Sequence, residues 1–387
     1  MLLAAQVAIT AVLLVGAGLF IRSLQHGLAL DLGLSSESVV MAEIVPALQG
    51  YAPARTQAIV DQARARLDGL PDVAAVTAAR QPPLTGGNGF RAQEIEGYQP
   101  GPDEEIRFES NFIAAGYFDV LRIDMRAGRD FTAADRAGAP FVAIISDAMA
   151  RRYWAGRSPV GTHIRSRSIP EPIRIVGVVE NVTVGLDGTA APFVYLPLAQ
   201  HPRFLNAPVP MVLLARARPG ATTVAAAVRR VLREIDPALP VTAVTPLDDR
   251  IAELLMPQRL GSLLLSALGG LTVVLVIIGA AGTVAYGVSR RRREIGVRLA
   301  LGAQRAEVAA AMTRESVVAM AGGALAGFAG AAALGRVSSA FLYGIGPTDA
   351  ASFAAAAAIL ALATGAASFL PAWRAAGIDP AEILKAE

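Results

Sequence analysis

Four long apolar runs constrain this chain more than any other feature of its sequence. They cover residues 2–21, 263–288, about 316–334 and about 352–370. Each has close to the roughly 20 residues that a helix rising about 1.5 Å per residue needs to cross a hydrocarbon layer about 30 Å thick. Hydrophobic residues make up 53% of the chain and charged residues only 17%, and these runs hold much of that surplus. We therefore predict four transmembrane helices.

The first run is predicted to be a membrane anchor and not a cleaved signal peptide. Signal peptides combine a basic start, an apolar core of roughly 7–15 residues and a cleavage site of small residues. This run is longer, and no basic residue precedes Arg22. The chain therefore begins inside a predicted membrane helix, with no cytoplasmic lead before it.

The composition of the last two runs predicts how these helices pack and end. The third run contains Gly322, Gly323, Gly327 and Gly330, and small residues let helix backbones approach closely in a membrane. The fourth run is predicted to stop at Pro371, because proline disrupts the hydrogen bonding of a helix interior. We expect the third helix to be tightly packed against its neighbours.

The positions of the arginines predict which side of the membrane each loop occupies. The second run ends on four consecutive arginines, Arg290 to Arg293, and the loop between runs three and four carries only Arg336 and Asp349. Cytoplasmic loops are enriched in Lys and Arg, so the arginine-rich loop is predicted to be cytoplasmic. The segment between the first and second runs then lies outside the cytoplasm. We expect this segment to form a large soluble domain on that side of the membrane.

Between residues 23 and 258 the pattern changes to short strands and amphipathic helices. A strand–helix–strand unit is predicted near each end of this stretch, and two such units form a split, ferredoxin-like α+β layer. Residues 83–205 are predicted to be an inserted mixed α/β subdomain with a core of its own. The predicted strands are 39–45, 73–77, 141–145, 173–179, 210–215 and 240–244, and the predicted helices are 55–67, 147–154 (capped by Ser146) and 223–235.

The sequence lacks the residues that several classes of enzyme and metal site require. There is no cysteine, and the only lysine is Lys385 near the end of the chain. A Walker A loop, which needs a lysine behind a glycine-rich turn, is therefore absent. His26, His163 and His201 are isolated and show no metal-ligand spacing. We predict no catalytic residues, no bound cofactor and no metal site. The positive charge is confined to one loop, which argues against nucleic-acid binding.

The arginine-rich loop is the one segment whose sequence suggests that it contacts a partner and transmits motion. Arg290 to Arg293 are explained equally well by the membrane boundary alone. The segment that follows them, from Glu294 to Ala303, is a short amphipathic stretch with a glycine near its end. A helix lying at the cytoplasmic face can dock into the groove of a partner.

This segment resembles a known family. Residues 292–303 are similar to the signature that follows the second span of ABC transporter permeases of the FtsX/MacB type, and residues 371–387 resemble that family's ending. In the soluble part, residues 116–131 and 142–161 are similar to the MacB-like periplasmic core. The sequence of residues 13–23 resembles the second repeat of the duplicated permeases of acidobacteria. This resemblance implies that the present sequence is one part of a longer chain.

The resemblance implies a bacterial inner-membrane protein whose soluble domain is periplasmic or extracellular. It also implies a division of the chain and a set of partners. It implies a first transmembrane helix (1–22), a MacB-like periplasmic core domain (23–258) and an FtsX-like permease domain (259–387) with a cytoplasmic coupling segment (289–315). A separate ABC ATPase would bind the ATP, and a second permease unit, as a homodimer or a fused repeat, would complete the assembly in the lipid membrane. The residues implied to contact the ATPase are Arg293, Glu294, Ile295, Gly296, Arg298, Leu299, Leu301, Gly302 and Ala303.

Two functions of different classes follow from this resemblance. The first is a permease that transmits ATP-driven motion to its periplasmic domain and exports or extracts an amphiphile, a peptide or a lipoprotein. The alternative is a mechanosignalling protein that moves no substrate and regulates a periplasmic partner such as a cell-wall hydrolase. Binding of periplasmic adaptors or hydrolases would separate the two. A membrane-anchored enzyme is the weakest candidate, because the sequence has neither a Walker A loop nor histidines at metal-ligand spacing.

Overall fold

The computed structural model describes residues 2–183, 190–202, 210–290, 305–338, 342 and 344–376. In these residues the helices are α1 Leu2–Ala29, α2 Pro53–Asp68, α3 Tyr117–Leu121, α4 Asp147–Trp154, α5 Val224–Ile235, α6 Leu247–Leu254, α7 Met256–Arg290, α8 Arg305–Val337 and α9 Ala350–Ala376. The strands are β1 Val39–Ile44, β2 Val73–Ala79, β3 Asn88–Ile95, β4 Arg107–Ile113, β5 Met125–Gly128, β6 Val142–Ser146, β7 His163–Ser166, β8 Ile169–Val179, β9 Phe193–Pro197, β10 Met211–Ala217 and β11 Val241–Pro246.

The chain divides into two units, which are described separately. One unit, the membrane unit, comprises Met1–Ala29 and Leu255–Glu387, and the other, the soluble domain, comprises Leu30–Leu254. Helices α1, α7, α8 and α9 therefore belong to the first unit, and all eleven strands belong to the second.

Four helices of the membrane unit are long and apolar enough to cross a membrane, as predicted. Within the described residues these spans are Leu2–Ala29, Met256–Gly287, Val317–Val337 and Ala350–Ala367. The prediction that the fourth helix stops at Pro371 is wrong, because α9 continues to Ala376. A proline removes one backbone hydrogen bond, and membrane helices accommodate this by local adjustment.

Two strand–helix–strand units of the soluble domain form the predicted ferredoxin-like layer. Four strands lie in the order β11-β1-β10-β2, and every neighbouring pair is antiparallel. Helix α2 begins with Pro53 and buries Ile59, Ala63 and Leu67, which recur every fourth residue. Helix α5 likewise buries one face. The helical period therefore places one apolar stripe of each helix in the core.

The stretch between β2 and β10 adds a closed set of strands to this layer. Strands β4, β3, β7, β8, β6 and β9 pair in that order, and β9 returns to pair with β4 through Glu109 and Phe193. Strand β5 pairs with β8 outside this ring. The ring joins the ferredoxin-like layer where Ala79 of β2 pairs with Ile113 of β4. Closure leaves the six strands without a free lateral edge.

The prediction that residues 83–205 have a core of their own is wrong. The largest buried cluster combines Ile44 and Leu213 of the ferredoxin-like layer with Ile145 and Trp154 of the inserted stretch. A second cluster likewise combines Met41 with Phe118. The two parts share their buried apolar residues because one continuous sheet carries both. The predicted cap of α4 is confirmed, since Ser146 Oγ accepts a hydrogen bond from Met149 N at 3.3 Å.

Candidate functional site

The predicted ATPase-contacting residues lie outside the part of the chain that the structure describes. They are Arg293, Glu294, Ile295, Gly296, Arg298, Leu299, Leu301, Gly302 and Ala303, and residues 291–304 are not described. The helices on either side are described: α7 ends at Arg290 and α8 begins at Arg305. The segment therefore connects the cytoplasmic ends of two membrane-spanning helices.

Helix α1 packs against α8 through two of the four predicted glycines. A Cβ atom added at Gly323 would lie 2.3 Å from the carbonyl oxygen of Ala4, and one at Gly327 would lie 2.5 Å from that of Ala8. Gly322, by contrast, has no neighbouring atom within 4 Å of such a Cβ. Only glycine permits this approach, so the close packing of the third span is a property of Gly323 and Gly327.

The outer ends of α1 and α9 are joined by a polar contact. Arg22 of α1 forms an ion pair with Asp349. Asp349 also caps α9, because its Oδ2 accepts hydrogen bonds from Ser352 N and Ser352 Oγ, each at 2.8 Å. Burial raises the pKa of Asp349, but the bonds from Ser352 and Arg22 outweigh it, and its net pKa is lowered from 3.8. We call Arg22, Asp349 and Ser352 the outer clamp.

Replacing Arg22 by glutamine is expected to lower the melting temperature of the detergent-solubilised chain by about 1–3 °C, since a partly exposed ion pair contributes ~0.2–1 kcal/mol. The carboxyl of Asp349 has a depressed pKa in the folded chain, so its contribution is complete above the unfolded value of 3.8. It is lost as the pH falls through the folded value. The difference between wild type and variant, measured by circular dichroism, should therefore shrink as the pH falls below 3.8 and vanish once Asp349 is protonated in the folded chain.

Arg336→Gln is the matched control for this measurement. Arg336 lies in the last turn of α8, is exposed, and makes no ion pair with any described residue. Its removal should leave the melting temperature unchanged. Equal melting temperatures for the Arg22 variant and the control at neutral pH would show that the outer clamp contributes nothing.

The soluble domain carries an open groove of about 850 Å³ beside strands β3, β4 and β7. Its apolar lining consists of Phe90, Ile106, Phe112 and Ile169, all of which belong to the largest buried cluster. The ring of Phe90 stacks on that of Phe108 at 5.3 Å, which fixes its orientation. The volume falls in the range of roughly 300–1,000 Å³ that is typical of small-molecule sites.

Three arginines also line the groove. Arg80 is only 4% exposed, its Nη1 donates to the carbonyl oxygen of Pro210 at 2.9 Å, and burial lowers its pKa. Arg91 lies 3.6 Å from Glu105. Arg167 is exposed in the turn between β7 and β8, and it forms no ion pair with a residue that the structure describes. The wall of the groove therefore carries positive charge.

The two carboxylates of the groove are held by neighbouring donors. Glu104 accepts hydrogen bonds from Gly101 N at 3.0 Å and from the hydroxyl of Tyr98 at 2.9 Å, and it lies 3.4 Å from Arg152. The bond from Gly101, followed by that from Tyr98, lowers the pKa of Glu104. Glu105 lies 3.6 Å from Arg107 as well as from Arg91. Both carboxylates are thus balanced by cations within the protein.

The three histidines occupy separate environments. His163 Nδ1 lies 2.9 Å from Glu96, and the ring of His201 stacks on Phe141 at 5.3 Å. His26 lies against Gly344. Among the residues described, no group of three or more His, Asp or Glu side chains is arranged to hold a metal ion. The described part of the chain therefore offers no candidate metal site.

Family models match most of the sequence. The model of the MacB-like periplasmic core domain matches residues 2–233, and that of the FtsX-like permease C-terminal domain matches residues 266–380. Together the two matches cover α1, most of the soluble domain and most of the three C-terminal membrane helices. The soluble domain and the permease segments thus carry two independent family signatures.

Curated relatives are about a quarter identical to this chain over the residues that align. The macrolide export ATP-binding/permease protein MacB 1/2 of Paracoccus denitrificans is 27% identical over 294 residues, which are 70% of this chain and 41% of that protein. The uncharacterised ABC transporter permease YknZ of Bacillus subtilis is 25% identical over 292 residues, 74% of this chain and 72% of that protein. The chain thus spans about two fifths of the length of the MacB relative.

Two solved structures of periplasmic or extracellular regions are similar to part of this chain. The periplasmic region of MacB from Actinobacillus actinomycetemcomitans is 15% identical, with a TM-score of 0.38 over 57% of this chain and 94% of that one. The extracellular domain of the noncanonic ABC-type transporter YknZ is 19% identical, with a TM-score of 0.37 over 53% of this chain and 100% of that one.

Proposed function

Because the chain belongs to the FtsX/MacB-like family of ABC transporter permeases, we propose that it transmits motion from a separate ATPase to its soluble domain. As a member of this family it is an inner-membrane protein with a periplasmic or extracellular domain. In our proposal the resulting motion exports or extracts an amphiphile, a peptide or a lipoprotein. The chain itself performs no ATP hydrolysis.

The observation that supports the coupling role is the position of the arginine-rich loop between two membrane helices. Because α7 ends at Arg290 and α8 begins at Arg305, a force applied to residues 291–304 acts directly on both helices. In the proposal Glu294, Gly296 and Arg298 contact the ATPase, and closure of two ATPase subunits moves the loop. A second permease unit, in a homodimer or a fused repeat, contacts the second ATPase subunit in the same way.

Helix α1 offers one route by which this motion reaches the soluble domain, in addition to α7, which runs from the soluble domain to the loop itself. It packs closely on α8 at Gly323 and Gly327, and the outer clamp ties its far end to α9. Its last residue, Ala29, is followed directly by the first residue of the soluble domain. A shift of α8 is therefore passed to α1 by steric contact, since packed interiors resist compression. A periplasmic adaptor or hydrolase would receive the motion from the soluble domain.

Gly296→Trp is expected to abolish the stimulation of the partner ATPase, with at least a tenfold loss of stimulated turnover. A bulky side chain at a close-fitting docking surface prevents contact, and Glu294→Lys reverses a charge on the same surface. The ATPase is first identified by affinity purification from native membranes. ATP turnover is then measured with the permease variants in reconstituted membranes.

Gly287→Trp is the matched control for the docking experiment. Gly287 lies in the last turn of α7, and a Cβ atom added there meets no other atom within 4 Å. This variant should insert in the membrane and stimulate ATP turnover as the wild type does. Full stimulation by both coupling variants would contradict the coupling role. Copurification of a periplasmic hydrolase without any cargo release would favour the mechanosignalling alternative.

A further inference from the structure

The groove beside β3, β4 and β7 combines the two properties that a site for an amphipathic anion needs. Phe90, Ile106, Phe112 and Ile169 form its apolar lining. These side chains are only 3–7% exposed, so the favourable burial of roughly 25 cal/mol per Å² comes mainly from the apolar part of the ligand that lies against them. The positively charged wall determines which head group can accompany that apolar part.

The charge of the groove favours an anion over a cation. Glu104 and Glu105 are the carboxylates of the lining, and arginines and other donors within the protein already satisfy both. Arg167 has no ion-pair partner among the described residues, and the buried Arg80 adds a second positive charge to the wall. A cationic ligand would have to compete with Arg91, Arg107 and Arg152 for the carboxylates. An anionic ligand meets Arg167 without displacing an existing partner.

We propose that this groove binds an amphiphile with a single anionic head group, a carboxylate or a phosphate. The head group contacts Arg167 and the wall near Arg80, and the apolar part lies along Phe90, Phe112 and Ile169. The binding site follows from the geometry and charge of the groove alone. Its identification as the place where cargo is held rests on the proposed function.

Fluorescence energy transfer from Trp154 tests this assignment in the full chain. Trp154 is 1% exposed and belongs to the same buried cluster as Phe90 and Ile169. In a Trp373→Phe background it is the only tryptophan, because the chain has two. The chain is placed in nanodiscs of uncharged phosphatidylcholine without any ATPase, and dansylundecanoate is added as the probe. A dansyl alkylammonium of equal length reports binding that depends on the apolar part alone.

We expect saturable energy transfer with the anionic probe and none with the cationic one. Arg167→Glu should weaken binding at least about fivefold, since it reverses the charge that faces the head group. Arg165→Glu is the charge-reversal control, because Arg165 is also exposed, on strand β7, where it lies 3.4 Å from Glu94, and it does not line the groove. The control should change the affinity less than about twofold.

A second pair of variants tests the volume of the groove. Gly89 lines the groove, and a Cβ atom added there meets no atom within 4 Å, so Gly89→Phe introduces bulk without displacing strand β3. It should weaken binding at least about fivefold by occupying the ligand's space. Gly69→Phe adds the same bulk at the end of α2, outside the groove. It should bind the probe as the wild type does.

The outcomes distinguish this inference from the proposed function. Equal affinities for Arg167→Glu and Arg165→Glu, or equal binding of the anionic and cationic probes, would overturn the anion site. Equal affinities for Gly89→Phe and Gly69→Phe would show that the probe binds elsewhere, in the bilayer for example. Because no ATPase is present, loss of coupling cannot produce any of these results. Conversely, intact probe binding alongside unstimulated ATP turnover would leave the site in place and remove the coupling role.

Discussion

Replacing Arg216 by methionine is expected to lower the free energy of unfolding of the soluble domain by about 3–5 kcal/mol. Arg216 on β10 is 7% exposed, and its guanidinium donates to three carbonyl oxygens: Val120 at 2.7 Å, Glu37 at 2.8 Å and Ser35 at 2.9 Å. Methionine fills much of the volume, but it leaves the buried carbonyl of Val120 and the part-buried carbonyls of Glu37 and Ser35 without this donor. Burial also lowers the pKa of Arg216, so the charge itself is held at a cost.

Thermal unfolding followed by the fluorescence of Trp154 measures this effect in the full chain with Trp373 replaced by phenylalanine. A loss of this size corresponds to a fall of about 10 °C in the melting temperature of a domain of this length. Arg230→Met is the control, because Arg230 is exposed on α5 and lies 3.8 Å from Glu234. Such surface pairs contribute about 0–1 kcal/mol. Equal melting temperatures for the two variants would show that the three bonds of Arg216 do not stabilise the domain.

Gly323→Leu is expected to destabilise the membrane helix bundle by about 3 kcal/mol or more. A Cβ atom at residue 323 would overlap the carbonyl group of Ala4, at 2.3 Å from its oxygen. The side chain therefore forces α1 and α8 apart along their contact. We expect most of the variant protein to be lost from the monodisperse peak in size-exclusion chromatography of detergent-solubilised membranes.

The neighbouring glycine provides the control for this effect. Gly322 precedes Gly323 on α8, and a Cβ atom there meets nothing within 4 Å. Gly322→Leu should be neutral or stabilising, because leucine favours a helix over glycine by roughly 0.5–1 kcal/mol. If the two leucine variants gave equal amounts of monodisperse protein, the close contact between α1 and α8 would be excluded.

The parts of the fold that depend on residues close together in the sequence could be predicted from it. Ile59, Ala63 and Leu67 recur at the helical period and predicted α2, and the uncharged runs predicted the four membrane helices. The closed ring of strands could not be predicted, because it depends on the pairing of Glu109 with Phe193, which lie far apart in the sequence. No local pattern encodes such a partner, and the predicted separate core failed for the same reason.

The candidate sites differ in how far the sequence could identify them. The ATPase-contacting residues, such as Glu294 and Gly296, were predicted from the resemblance to a family and stay a prediction, since they lie outside the described residues. The groove was missed because its lining comes from several separate segments, and neither Arg80 nor Arg167 is distinguishable from a surface arginine in the sequence. The outer clamp had a local signal, since Asp349 precedes an apolar run and has the residue type of a helix cap.

The packing of α1 against α8 also determines the order in which this protein can assemble. Gly323 and Ala4 are separated by more than three hundred residues of the chain, and at about 5–20 residues per second their synthesis is separated by tens of seconds. During most of that interval α1 lacks the three helices that pack against it, because α7 begins only at Met256, whereas the soluble domain that follows α1 is complete before α8 is made. Helices α8 and α9 are therefore inserted beside a first helix that was made tens of seconds earlier.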